Sequence, residues 1–450
     1  MSRTLTLAFA GALSLAAPTL GQPTPPPGPQ QDPLLNTCGK LAGFYEVTWP
    51  DGRRSRARLR SAEPDRAQLS LDLPLGGTVR PTLIRRLTST ENRLRTEDGM
   101  SGGLDPSQRV RADLKVKDRI TLEGSVSLKR PDGSWKPYQV TLARAAMPAR
   151  SPEEMGESDP GPSPEQKQLF ESVPADFEDN YFDSMWTKWG PTYYRGRLDK
   201  SARVMIIGSD PGPTECVPFA RRCMIGDTGQ RVQGLLHKLG LDRSYLIMNA
   251  FPYALFPSAS NAGKGDEINA NPTVVAWRNK IFASAIDKDK LQAVILFGFQ
   301  ARAAWDLWTD HPNVPIFELP HPSRFDGEPD AGLLSRYRPA VERLRQIVTP
   351  DDEVLLRNNP NYGKEFTEFD FGRIPRRDLP KEAVIGGVVE PTPEWFGSDS
   401  WTRVRATPIH NVVQRAGSSK MVFNFPDGTT KYLRVIPAAT AGGQPTYRWE

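Results

Sequence analysis

Four short apolar runs constrain this chain more than anything else in it: VMIIG at 204–208, YLIMN at 245–249, AVILFG at 293–298 and VPIFELP at 314–320. The first three are continuous rather than alternating, which suits strands covered on both faces, as in a parallel sheet. Between the runs lie TGQRVQGLLHKLG, VVAWRNKIFASAI and FQARAAWDLW, whose apolar residues recur at helical spacing. Strand and helix alternating in this way predict βαβ units and an α/β fold, with a mostly parallel central sheet flanked by helices.

The ends of those runs carry the chemistry. Asp210 follows VMIIG, Asn249 closes YLIMN, and His321 follows VPIFELP. Open α/β sheets bind ligands at the carboxyl ends of their strands, so three polar residues on one edge point to a site. Gly208, Pro211 and Gly212 bracket Asp210, and their backbone preferences predict a tight turn there. An Asp in such a turn also bonds its own backbone in many proteins.

The remainder divides by pattern. Residues 1–21 read as a secretory signal peptide, one Arg before an apolar run and small residues, so an exported (periplasmic or secreted) protein is expected, or a cytoplasmic one if that leader is not genuine. Residues 22–34 read as a Pro-rich linker. Residues 35–145 hold strand-like segments with PDG turns at 50–52 and 131–133, which predict a small antiparallel β-barrel or sandwich. That region and its edge, 35–150, has 22 Lys and Arg against 13 Asp and Glu, a charge a polyanion would meet favourably and that solvated strand faces also show. Residues 146–165 read as a linker, 166–350 as the α/β domain, and 351–450 as an extension with β-hairpins and a third PDG at 426–428. No later apolar segment is long enough to span a bilayer. Three Cys make no disulfide framework; Cys216 and Cys223 are the nearest pair for a single bridge. Four His show no ligand spacing, so neither a metal nor a cofactor is expected, and a monomer is.

GSDPG (208–212), YLIMN (245–249) and HPS (321–323), in that order, resemble the motifs of the uracil-DNA glycosylase superfamily over roughly residues 195–350. MIGDTGQRVQGLL (224–236) is similar to the pocket-to-helix segment of the branch that carries an iron–sulfur cluster, but the cluster cysteines are absent, so no cluster is implied. The resemblance implies an enzyme acting on DNA, single- or double-stranded, that hydrolyses the N-glycosidic bond of a flipped-out uracil. It implies Asp210 as the group that orients water and stabilises the cationic sugar, and His321 as a neutral donor to the departing base. In the iron–sulfur branch the carboxylate sits where this chain has Ser209, so the chain keeps the Asp-bearing arrangement. A Tyr that excludes thymine in that branch aligns with Gly212. The base-binding set is then Asn249, Gly208 and a stacking group, either Met224 or Phe219. For DNA contacts it implies Ser323 on a phosphate, and Arg324 with Phe325 as the residues entering the emptied stack; Ser323 as a turn cap and Phe325 packed on its own domain are the plainer readings.

The role of Asn249 also follows from chemistry. Uracil presents an O4 acceptor and an N3–H donor, and a carboxamide complements both, whereas cytosine reverses the pattern. A second reading keeps the scaffold and drops the reaction: an exported nucleobase- or nucleic-acid-binding protein on a retired glycosylase fold.

Overall fold

The structure, a computed structural model, describes residues 41, 43–63, 66–73, 78–79, 82–87, 92–96, 110–117, 121–130, 132–144, 152–256, 263–326, 330–352, 359–367, 369–394, 396–397, 404–406, 420–424, 430–438 and 443–450. The expected leader and the first linker, 1–34, lie outside the described residues, as does the third PDG.

The N-terminal region is a ring of antiparallel pairings. Strands Gly43–Thr48, Arg54–Glu63, Arg66–Asp72, Thr82–Leu87, Asn92–Thr96, Val110–Val116, Thr121–Lys129 and Trp135–Arg144 each pair with the next. The last then pairs with the first, which closes the ring and decides for a barrel over a sandwich. The PDG turns sit where expected, with Gly52 at φ 78° and Gly133 at φ 82°, a left-handed conformation that glycine adopts without strain. Alternation puts Val47, Leu59, Leu69, Leu114, Val126 and Leu142 inside, all fully buried. Sequence pattern alone missed the strand Asn92–Thr96, whose NRLRT carries one interior residue among its described side chains, Leu94.

The α/β region is built on a five-stranded sheet. In spatial order its strands are Arg195–Gly196, Tyr245–Asn249, Val204–Gly208, Ala293–Phe297 and Ile316–Leu319. The last four are parallel, as expected, and the two-residue edge strand is antiparallel. One face packs on a cluster with Phe177, Trp277, Phe282 and Trp305. The other packs on Val232, Leu235, Leu236, Tyr337 and Leu344. This two-sided burial is why the strands are continuously apolar. Helix Pro272–Ala285 starts where Asn271 accepts from the N–H groups of Thr273 and Val274, with Pro272 in the first turn.

The C-terminal residues form a second antiparallel sheet, Val404–Ala406, Lys420–Asn424, Thr430–Ile436 and Thr446–Trp449. It shares one buried cluster with Trp189, Cys216, Val217, Phe219 and Ala254 of the α/β region. A segment before it, Phe369 to Gly372, lies between barrel and helix Asp227–Lys238. Phe371 is flanked by the guanidiniums of Arg58 (5.0 Å) and Arg231 (4.4 Å). Asp370 pairs with the buried Lys238 at 3.2 Å.

Candidate active site

Parallel register fixes the site. Gly208 stands beside Asn249, and Phe297 beside Leu319, so the carboxyl ends of four neighbouring strands lie level. Asp210 and His321 each follow their strand by two residues. Their strands are two apart in the sheet, about 10 Å at ~4.8 Å between neighbours.

Asn249 is 7% exposed, and neither its Oδ1 nor its Nδ2 has a hydrogen-bond partner among the described residues. A buried amide with both ends unmet costs about 1–3 kcal/mol unless a ligand completes it. The space beside it exists because residue 208 is glycine. A Cβ there would stand 2.6 Å from Asn249 Oδ1, and the Met224 methyl would be closer still. Gly208, Met224 and Asn249 are therefore brought together, with Met224 buried and its backbone at φ 50°. Phe219 goes elsewhere: its ring stacks on Trp449 at 6.2 Å and packs edge-on to Phe423 in the C-terminal cluster. Of the two candidate stacking groups, only Met224 lies against Gly208.

Asp210 is half-buried. Ser209 Oγ donates to its Oδ1 at 2.8 Å, and the Leu255 N–H donates to its Oδ2 at 2.9 Å. Burial raises its carboxyl above the ordinary value, against these two bonds. His321 has Ser323 Oγ 2.8 Å from its Nδ1, and the Ser323 N–H donates to the same nitrogen at 3.4 Å. An Nδ1 that accepts leaves the proton of a neutral imidazole on Nε2. Ser323 thus orients the histidine. Arg324 is exposed beside it, and the Phe325 side chain lies outside the described ones.

One member of the cluster went unread in the sequence. Glu215 is 7% exposed, its Oε2 has no hydrogen-bond partner among the described residues, and its Oε1 lies 3.9 Å from where a Cβ of Gly212 would be. Burial, with a smaller push from Asp210, raises its carboxyl to about 8, while backbone bonds at Met224 and Gly212 and the Arg195 charge pull it back. The hint was a lone acid in the otherwise apolar ECVPFA that follows the turn. Cys216 and Cys223 are free, buried thiols, not a bridge. No group of side chains that could hold a metal ion occurs among the described residues, nor any helix long and apolar enough to cross a membrane.

Polar residues at the carboxyl edge of a parallel sheet stand where open α/β folds place their ligands. Residues 195–344, a third of the chain, match the family model described as the uracil DNA glycosylase superfamily. No curated protein matches the chain. Solved structures similar to part of it include EF1p2_mFAP2b bound to DFHBI, at 11% identity over 25% of this chain and 99% of that one, with a TM-score of 0.18. A redesigned beta barrel, b11L5F_LGL, follows at 14% identity, covering 25% and 96%, TM-score 0.17. A fluorescence-activating beta barrel designed de novo shows 17% identity, covering 23% and 93%, TM-score 0.17.

Proposed function

We propose that this chain is a DNA glycosylase that hydrolyses the N-glycosidic bond of a uracil rotated out of DNA, leaving an abasic site. The observation that carries the reading is the Asn249 amide, buried with both ends unmet beside Gly208 and Met224. Uracil's O4 and N3–H complete that amide, and the Met224 thioether lies against the base face. Bond cleavage leaves negative charge on the base and positive charge on the sugar. His321, with its proton on Nε2, donates to the uracil O2 as the anion forms. Asp210, ionised, faces the cationic sugar and orients the attacking water; each of its oxygens keeps a further lone pair beyond the bonds from Ser209 and Leu255. A base reaches such a pocket only by leaving the stack. Ser323, Arg324 and Phe325 form the DNA-facing loop, and the protein acts as a monomer; the leader-like residues 1–21 support action outside the cytoplasm.

The test is a uracil-containing oligonucleotide incubated with the full chain without added metal, then alkali to cleave abasic sites. Strand scission at the uracil position, and none in the thymine control, is expected. A protein that binds the oligonucleotide through Asn249 yet leaves no abasic site overturns the reading in favour of a retired scaffold.

A further inference from the structure

Asp378 lies outside the matched segment, in the C-terminal residues, yet its carboxylate ends under the pocket. The turn Arg376–Asp378 carries it, and it is 1% exposed. The Tyr245 hydroxyl donates to its Oδ2 at 2.5 Å, and the same oxygen lies 3.8 Å from Arg195 Nε. Arg195 is fully buried, and among the described residues Asp378 is the one carboxylate within ion-pair distance of it. Arg195 Nη1 in turn donates to the Met224 carbonyl at 2.9 Å. Met224 has φ 50°, a left-handed backbone that non-glycine residues rarely adopt unless their surroundings enforce it. Helix Asp227–Lys238 enforces it from the other side: a Cβ at Gly229 would overlap the Met224 carbonyl.

We infer that Asp378 is a positioning residue for the base pocket: it holds Arg195, and through Arg195 the left-handed turn that lays the Met224 thioether against Gly208 beside the Asn249 amide. The inference rests on the pocket being the base site. It makes the C-terminal residues part of the pocket's construction. A buried guanidinium that loses its carboxylate is strongly disfavoured and must move or draw in water. Either movement releases the Met224 carbonyl.

The test uses the full chain and three variants: Asp378→Asn, Arg195→Met, and the double variant Asp378→Leu with Arg195→Met. Three quantities are read: the ¹³C-methyl resonance of Met224, assigned through Met224→Leu; the melting temperature; and KM with kcat on uracil-containing DNA. Asp378→Asn is expected to lower the melting temperature, displace the Met224 resonance and raise KM roughly 10- to 100-fold, as small misplacements near a reacting centre do. The double variant removes both charges, so it recovers melting temperature. Its Met224 resonance stays displaced and its KM stays high, which a purely structural ion pair would not produce. A double variant that regains all three quantities, or an Asp378→Asn protein whose Met224 resonance does not move, overturns the inference. If Asp378→Asn does not fold, the double variant decides alone. An inert wild type sinks the glycosylase reading and leaves the Met224 resonance to judge Asp378.

Discussion

The barrel and the carboxyl edge of the parallel sheet treat buried space in opposite ways. Inside the barrel, Leu59, Leu69, Leu114, Val126 and Leu142 close on one another. Several of its described charged side chains are engaged: Arg93 and Arg95 with Asp113, Lys117 with Glu123, Arg111 over Trp135, Arg56 over Phe369, and the buried Arg58 over Phe371. The sheet edge instead buries the Asn249 amide and one Glu215 oxygen with no hydrogen-bond partner among the described residues. Each such group left unmet costs free energy, and a ligand that completes it would recover that cost; Gln230 and Trp305 in the α/β region also bury polar atoms without a partner among the described residues. Of the basic residues in the barrel, Arg56 and Arg58 reach out of it to hold Phe369 and Phe371 of the C-terminal residues.

The largest expected effect is on catalysis at the edge. Asp210→Asn and His321→Ala should each slow uracil excision by ~10²-fold or more, the scale of losing a water-orienting group or an anion-stabilising donor. Binding of uracil-containing DNA should change little in both, as read by a gel-shift titration. Wild-type rates in either variant would remove that residue from the site.

Stability should separate the two regions next. Leu114→Ala in the barrel leaves a cavity and should cost ~2–5 kcal/mol by denaturant unfolding. Asn249→Leu, by contrast, should leave stability unchanged or raise it, because it removes two unmet polar groups, while abolishing uracil excision. If Asn249→Leu destabilises as Leu114→Ala does, Asn249 has a structural partner and the contrast collapses.

Specificity gives a smaller effect. Asn249→Asp loses the N–H that meets uracil O4 and gains an acceptor for cytosine's amino group. Discrimination between bases by such a pair is ~1–3 kcal/mol. Parallel assays on uracil- and cytosine-containing oligonucleotides should show the uracil reaction lost and a weak cytosine reaction gained. Retained uracil preference would mean that Asn249 does not read the base.

The parallel sheet and the three strand-end residues were legible because burial on both faces forces continuous apolar runs, and a polar residue ending such a run stands out. Met224 and Phe219 were inseparable in sequence: both sit in a buried loop, and only the C-terminal aromatic cluster, made by residues about 200 positions away, draws Phe219 off. Glu215, Arg195 and Asp378 were illegible for the same reason. Each is an ordinary charged residue in its local stretch, and its meaning comes from a partner distant in the chain. The edge strand Arg195–Gly196, with two residues, carries no periodicity to read.

The smallest effect concerns Glu215. Its carboxyl is raised by burial from an ordinary 4.5 to about 8. The folded protein therefore holds this proton over a range in which the unfolded chain has lost it. The sign follows: stability relative to Glu215→Gln is full below about pH 4.5, declines as pH rises towards 8, and is constant above. Glu215→Gln should melt higher than wild type at pH 9, with the gap shrinking steadily on acidification. Activity should show the same group. Above about pH 8 a second carboxylate appears next to Asp210 and close to the charge developing on the base, so wild-type kcat falls, and the Gln variant lacks that alkaline limb. On the acid side both proteins should lose activity at a pH above the usual Asp range, since Asp210 must be ionised and burial raises it. Identical alkaline limbs in the two proteins, with identical melting curves, would mean that Glu215 is already ionised at neutral pH and that water reaches the oxygen left without a partner.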